Sequence, residues 1–217
     1  MTYLKNDQEW PYGVISPELD LLESILTRLD HGGFEQLYHD LSGRHYESEK
    51  ADYLLLLKIE RELVLGHIVD ADDPVYLDLF KRRIKHPRVI HLKIRALLSC
   101  DKVSEAKDFL HSSNSTGLSK QDFYYLQSRI CLKEQDENGW LSASRNVLEL
   151  DPIHRDVVYL MASFELKLSV ELDAIELLKN YHESEPLDLV SRSLLKDFAS
   201  NMALIMKRRS RSRSSPS

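Results

Sequence analysis

The sequence predicts an all-α fold, a right-handed solenoid of antiparallel helix pairs with capping helices at its ends. Only 7 Gly and 7 Pro occur among the 217 residues, of which 42% are apolar and 29% are charged, a composition typical of a helical protein. Apolar residues recur at the spacing i, i+3, i+4 and i+7 of one helix face. Pro152 and Pro186, which each follow a helical pattern, are 34 residues apart. This period is typical of stacked helix pairs that bury a shared apolar face.

Residues 1–48 are predicted to form an N-terminal segment with capping helices. Ser16, followed by Pro17 and an acid, indicates a helix start, because a hydroxyl can cap free backbone amides and proline lacks only a donor that the first turn does not use. We expect this helix to end at the glycine pair 32–33. A short second helix then follows and ends near Gly43.

Residues 49–186 are predicted to form the repeated helix pairs. A long inner helix is expected from Ala51 to Ile68, because its apolar residues occupy more than one face. Asp73 is expected to cap the next helix, which begins at Pro74 and ends before Pro87. The helices expected after it are residues 89–99 with 103–111, residues 122–133 with 140–150, and a last pair between Ile153 and Pro186.

Small residues recur where paired helices approach closely. Ala162 lies inside the first helix of the last pair, and Ala174 lies early in the second helix. Ala106, Trp140 and Ala174 are spaced by 34 residues each, although tryptophan departs from the small side chain preferred at that position. With the 34-residue period, these positions make the chain resemble the tetratricopeptide-repeat family, which implies a helix-turn-helix fold that binds protein segments in a groove.

The resemblance also implies a binding surface. In proteins of this family the first helix of each pair lines a concave groove, and fixed positions of that helix contact the partner. Carried over at the 34-residue spacing, these positions give eight predicted partner-binding residues: Arg61, His91, Arg95, Tyr125, Arg129, Lys133, Tyr159 and Lys167. Arginine forks bind carboxylates bidentately. The expected partner is therefore an acidic peptide or helix, or a larger protein complex.

The last residues of the chain are basic, whereas the rest of the chain is acidic. Residues 187–206 are predicted to form a C-terminal capping helix, and residues 207–217 a disordered tail of Arg and Ser. The overall net charge is −6 and the tail carries +5, which leaves −11 on residues 1–206. An acidic body is a poor general binder of nucleic acid. The Arg-Ser tail keeps a nucleic-acid-associated factor as an alternative, because such a tail binds phosphates and loses charge on phosphorylation.

No pattern of catalytic or metal-binding residues stands out. The nine histidines are scattered, no glycine loop that cradles phosphates occurs, and Asp70, Asp72 and Asp73 lack the rest of a calcium loop. We therefore predict no enzyme, no cofactor, no metal and no small-molecule substrate. The basic run of Lys81, Arg82, Arg83 and Lys85 is expected to be a solvated last helical turn.

The resulting functional prediction is a non-catalytic adaptor or scaffold, alone or as a subunit of a larger assembly. Residues 52–110 are also similar to the tetratricopeptide scaffold subunit, number two, of the endoplasmic-reticulum membrane protein complex. A bacterial pilus-assembly or secretion helper of the same repeat type is a further alternative. Neither a secretory signal nor a membrane span is evident in the sequence, and Cys100 and Cys131 read as free thiols. We therefore expect a cytoplasmic protein, with a place at the periphery of a membrane complex as the alternative.

Overall fold

The computed structural model describes residues 16–28, 30–113, 118–167, 171–186, 188, 192–193 and 195–196, apart from the side chains of residues 31, 113, 164–167 and 171–174. Within these residues the fold is all-helical, as predicted, and no strand occurs. The helices are α1 Pro17–Thr27, α2 His31–Ser42, α3 Ser48–Val64, α4 Pro74–Arg82, α5 Pro87–Ser99, α6 Val103–Ser113, α7 Lys120–Glu134, α8 Glu137–Leu150, α9 Arg155–Lys167 and α10 Glu171–Ser184. None of them combines the length and the apolar character that crossing a bilayer requires.

The chain divides into two compact units, Met1–Trp140 and Leu141–Ser217. In the first unit, α3 packs against α1 and α5, and α5 packs against α7. The intervening helices α2, α4 and α6 each pack against the helix that follows them in the chain. The centre of this unit is formed by fully buried aliphatic and aromatic side chains, among them Leu22, Phe34, Leu56, Leu57, Phe80, Ile90, Ile94 and Leu110.

The glycine pair 32–33 lies inside α2 rather than at the end of α1. α1 ends at Thr27, and Asp30 caps α2 by accepting a hydrogen bond from the Gly33 amide at 3.0 Å. A Cβ atom on Gly33 would lie 2.5 Å from Asp30 Oδ2. The glycine is therefore explained by the close approach of the capping carboxylate.

The inner helix α3 ends at Val64, four residues before the predicted end. Gly66 has φ +77°, a left-handed conformation that glycine adopts without strain. The connection after Gly66 packs against the rest of the first unit. Val69 and Ala71 are buried, and the Val69 amide donates to Ser99 Oγ at 3.0 Å. Ile68 directly precedes these anchored residues and is 76% exposed.

Two helices start at the predicted residues, but only one of them has the predicted side-chain cap. Asp73 accepts a hydrogen bond from the Val75 amide at 2.9 Å, with Pro74 as the first helical residue of α4. Ser16 precedes Pro17 at the start of α1, although its side chain makes no capping bond. The predicted interior residues Ala106 and Trp140 are both buried, so tryptophan fits at the position where a small residue was expected.

The described core of the second unit is small. Val158, Ala162, Leu178 and Tyr181 are buried together, and partly buried apolar side chains such as Ile175 pack against them. Ala162 is thus interior, as expected. The side chain of Ala174 lies outside the described residues, and so do most of the predicted capping helix, 187–206, and all of the tail, 207–217.

Candidate partner-binding surface

A buried polar network joins α1, α3 and α5. Arg88 donates to Glu60 Oε2 at 2.6 Å through Nη2 and to Glu23 Oε1 at 2.7 Å through Nη1. The Tyr53 hydroxyl donates to Glu23 Oε2 at 2.5 Å, and burial raises the pKa of Tyr53 well above its ordinary value. Each charged group has a partner, so this network joins helices and leaves no charge for an external ligand.

The sequence patterns above do not predict this network, although the position of Arg88 indicates that it has acidic partners. Arg88 is the second residue of α5, where the positive end of the helix dipole disfavours a cation. An arginine at that position therefore requires acidic partners. Glu23 and Glu60 lie on two other helices, and their distances along the chain give no hint of the contact.

The basic run at the end of α4 divides into paired and unpaired members. Arg82 Nη1 and Arg83 Nε donate to the two oxygens of the buried Asp52, at 2.6 and 2.9 Å. The expectation of a solvated last turn is therefore wrong for Arg83, whose side chain is 17% exposed, whereas that of Arg82 stays 42% exposed while it pairs with Asp52. A buried carboxylate requires such counter-ions. Lys81 and Lys85 are exposed, and neither forms an ion pair with another described residue.

Arg61, predicted to bind a partner, lies against its own chain. Its Nη1 contacts Glu35 Oε1 at 2.6 Å and Glu62 Oε1 at 2.8 Å. The guanidinium carbon lies 5.4 Å from the centre of the Phe34 ring. The Arg61 side chain is buried except for a tenth of its surface, so a partner would have to compete with these internal contacts.

His91 and Tyr125, also predicted to bind a partner, are brought together between α5 and α7. Their rings stack with centres 6.0 Å apart, and both residues are buried. His91 Nε2 lies 3.1 Å from Asp122 Oδ1, and Ser119 Oγ donates to Asp122 Oδ2 at 2.6 Å. Burial alone would raise the pKa of Asp122, but these hydrogen bonds hold it below its ordinary value. The pair contributes to helix packing.

Arg95 and Arg129 come one helical turn after His91 and Tyr125 in their respective helices. Both arginines are half-buried. Arg95 has an interaction with the protein, whereas Arg129 forms neither a hydrogen bond nor an ion pair within the described part of the chain. A half-buried guanidinium without an acid is the group in the predicted set that is best prepared to receive a carboxylate.

The other three predicted residues differ in their surroundings. Lys133 is exposed and pairs with Asp101 at 2.6 Å. Tyr159, in the second unit, packs edge-on against Tyr181 with ring centres 5.5 Å apart, and Arg155 lies over its ring. The side chain of Lys167 lies outside the described residues. A role in partner binding stays a prediction for all eight residues.

A second group of cations, which sequence analysis did not select, lies near α4, α5 and α6. Lys93 Nζ lies 4.1 Å from the centre of the Phe109 ring, a cation–π contact. Burial lowers the pKa of Lys93, nearby Asp72 and Glu105 raise it, and the positive charge of Lys81 lowers it further. The Lys93 ammonium forms no ion pair within the described residues.

The described residues contain no group of three or more His, Cys, Asp or Glu side chains arranged to hold a metal ion. No protein-family model, curated protein or solved structure matches the chain. The resemblance to tetratricopeptide repeats therefore stays a prediction that depends on the spacing and the residues of this sequence.

Proposed function

We propose that the chain is a non-catalytic adaptor or scaffold of tetratricopeptide type, which binds an acidic segment of another protein. The proposal includes a solenoid in the first unit. It is supported by the order of packing, in which α1, α3, α5 and α7 contact one another in sequence while α2, α4 and α6 contact the next helix. Such nearest-neighbour packing is expected of stacked helix pairs.

Contacts between helix ends support antiparallel pairing. Asp52, near the start of α3, pairs with Arg82 and Arg83 at the end of α4. Neighbouring helices that meet start to end run in opposite directions, which is the arrangement that a helix-turn-helix repeat requires.

Contacts between α5 and α7 support a common direction for the first helices of successive pairs. His91 contacts Asp122 near the starts of the two helices, and Asp101 pairs with Lys133 near their ends. Because His91 and Tyr125 stack on each other, the residues one turn further on, Arg95 and Arg129, are expected to be neighbours.

The observation that carries the proposal is the half-buried guanidinium of Arg129, which pairs with none of the other residues that the structure describes. A partner carboxylate from Asp, Glu or a free C-terminus would supply the missing acid. Charged hydrogen bonds shielded from water cost about 2 kcal/mol or more when one partner is removed. An exposed pair, such as one at Lys133, is worth only about 0 to 1 kcal/mol.

Partner capture from native extract, read by mass spectrometry, tests this function. The immobilised chain is compared with its Arg129→Ala and Arg95→Ala variants and with Arg145→Ala, an exposed arginine of α8 that serves as the matched control. We expect at least one captured protein that the two former variants lose and the control retains. Affinities measured with that purified protein should fall about tenfold or more for Arg129→Ala. Equal capture by all variants would contradict the proposed surface.

Two narrower proposals concern the assembly to which the chain would belong and the cellular compartment in which it would lie. A scaffold subunit of the endoplasmic-reticulum membrane protein complex and a secretion helper both fit an adaptor of this kind. A cytoplasmic location is supported by Cys100 and Cys131, which are both free thiols, as is typical of a reducing compartment.

A second candidate function is supported by the sequence of residues 209–214, where Arg and Ser alternate. Such a segment would bind RNA through phosphates, with an affinity that falls steeply with salt. Titration of a labelled RNA with the chain, with and without residues 207–217, distinguishes the two functions. An adaptor should show no tail-dependent RNA binding.

A further inference from the structure

A tight turn at residues 83–86 joins α4 to α5, and His86 lies at its end. The His86 amide donates to the Arg83 carbonyl at 2.9 Å, and the His86 carbonyl accepts from the Ile90 amide at 3.0 Å. His86 is the N-cap residue of α5 and has an extended backbone, with φ −81° and ψ 124°, as is typical of a residue before proline. These bonds and Pro87 fix the position of His86 in the turn.

The imidazole of His86 is poorly placed to carry a charge. Both ring nitrogens are shielded from water, although the residue as a whole is only half-buried. Burial of a charged group costs more free energy than burial of the same group in its neutral form. The surroundings of His86 therefore favour the neutral imidazole. His39 and His45, by contrast, are exposed.

Two arginines close to His86 in the chain are held in place by acids of α3. Arg83 Nε donates to Asp52 Oδ2 at 2.9 Å, and Arg88 Nη2 donates to Glu60 Oε2 at 2.6 Å. Both carboxylates are buried, so neither arginine can move away from His86 without breaking a buried ion pair. Burial and the positive charges of Arg88 and Arg83 lower the pKa of His86 to about 4.

The acids around the turn are already occupied by arginines. Each of three carboxylates accepts a hydrogen bond from an arginine, and among the described residues only two charged groups, both arginines, shift the pKa of His86. The charged and titratable groups around the turn are Glu23 on α1, Asp52, Tyr53 and Glu60 on α3, Arg82 on α4, Arg83 and the exposed Lys85 in the turn, and Arg88 on α5. A proton on His86 would therefore add positive charge where no carboxylate is left to balance it.

We propose that His86 is an acid-sensitive switch: the turn at residues 83–86 is closed while the imidazole is neutral, and protonation of the imidazole opens the turn and releases α4 from α3. α4 has nine residues and packs on α5, and the ion pairs of Asp52 with Arg82 and Arg83 link it to α3. In the open turn the imidazolium reaches water and the like charges move apart. Opening of a short helix of this kind is a local unfolding event.

The pH range of the switch follows from the two pKa values of His86. Because the folded value of about 4 is lower than the ordinary value of 6.5, the closed form is fully stable above the ordinary value. It loses stability as the pH falls below about 6.5, and the loss grows until the folded value is reached. Between about pH 7 and about pH 5 this one group should raise the equilibrium constant for opening about twentyfold.

A histidine NMR titration of the full chain tests the protonation step. The His86 ring resonances are assigned through the backbone of the parent protein, so this measurement does not depend on a variant. We expect a titration midpoint below about pH 5.5, because the shielded ring and the two arginines oppose the charged form. A midpoint at or above about pH 5.5 would overturn the inference.

Amide hydrogen exchange, corrected for the intrinsic effect of pH, tests the opening step. From about pH 7 to about pH 5, the protection of residues 77–86 should fall about twentyfold in the parent and less than about threefold in His86→Gln, which takes up no proton. His39→Gln is the matched control, because it makes the same substitution at an exposed histidine of α2. This control should respond to pH as the parent does.

Two results of the exchange experiment would also overturn the inference. One is an equal loss of protection in the parent and in His86→Gln. The other is a loss of equal size throughout the first unit, since that would be global unfolding rather than release of α4. The switch does not depend on a partner at Arg129, so its failure and the failure of the proposed function are separate outcomes.

Discussion

Replacement of Arg88 by Met tests whether the network between α1, α3 and α5 holds the first unit together. The variant keeps side-chain length but leaves the carboxylates of Glu60 and Glu23 without their cation. The Glu60 side chain is only 7% exposed, and that of Glu23 is 33% exposed. Breaking a buried ion pair costs about 3 to 5 kcal/mol, and because Glu23 can regain water, we expect a loss of about 3 kcal/mol.

Urea unfolding followed by Trp140 fluorescence measures this loss. Trp140 is buried in the first unit, and a Trp10→Phe background makes it the sole tryptophan, since the chain has two. Arg145→Met is the control and should change the free energy of unfolding by less than about 0.5 kcal/mol. The double variant Arg88→Met with Glu60→Gln should recover part of the loss, because it removes the unpaired charge. A loss below about 1 kcal/mol for Arg88→Met would refute the reasoning.

Two other predictions concern single helix contacts. Hydrogen bonds lower the pKa of Asp122 in the folded protein, so its stabilising effect is present above the ordinary value of about 3.9 and is lost as the pH falls through the lower folded value. The difference in unfolding free energy between the parent and Asp122→Asn should therefore persist from neutral pH to about pH 4 and shrink below it. Ala174→Leu should overpack the contact expected with Ala162 and cost about 1 to 3 kcal/mol in thermal melts. A variant that melts like the parent would remove Ala174 from the interior.

Local sequence signals predicted helices well because helix starts and apolar faces are encoded by adjacent residues. Asp73 and Pro74 begin α4 as expected, and Ala106 and Trp140 are buried. Residues that occur both at helix ends and at helix starts predicted the helix boundaries less well. Glycine at 32–33 ends a helix in many proteins, but here Asp30 nearby offers a cap that starts the next helix. The sequence alone does not decide between the two readings, because each satisfies backbone donors.

Side-chain surroundings could not be predicted from periodicity, since they depend on residues distant in the chain. Asp52 and its arginine partners are about 30 residues apart, and Arg88 is 65 residues from Glu23. A charged residue in a helix is predicted to face solvent unless its partner on a neighbouring helix is known. The same difficulty explains why Arg61 was predicted to face a ligand although it contacts Glu35 and Phe34.

The positions of Arg61, Arg95 and Arg129 also show that the 34-residue spacing follows the ends of the helices more closely than their starts. Helices α5 and α7 begin 33 residues apart, but α3 and α5 begin 39 residues apart. Arg95 and Arg129 consequently lie eight and nine residues after the start of their helices, whereas Arg61 lies thirteen residues after the start of α3. This difference arises before Arg61, because α3 has 17 residues whereas α5 has 13. Counted from the last helical residues Val64, Ser99 and Glu134, the three arginines lie three, four and five residues away. The three arginines therefore keep comparable positions, and their contacts distinguish them: Arg61 is held by Glu35 and Glu62, whereas Arg129 pairs with no other described residue.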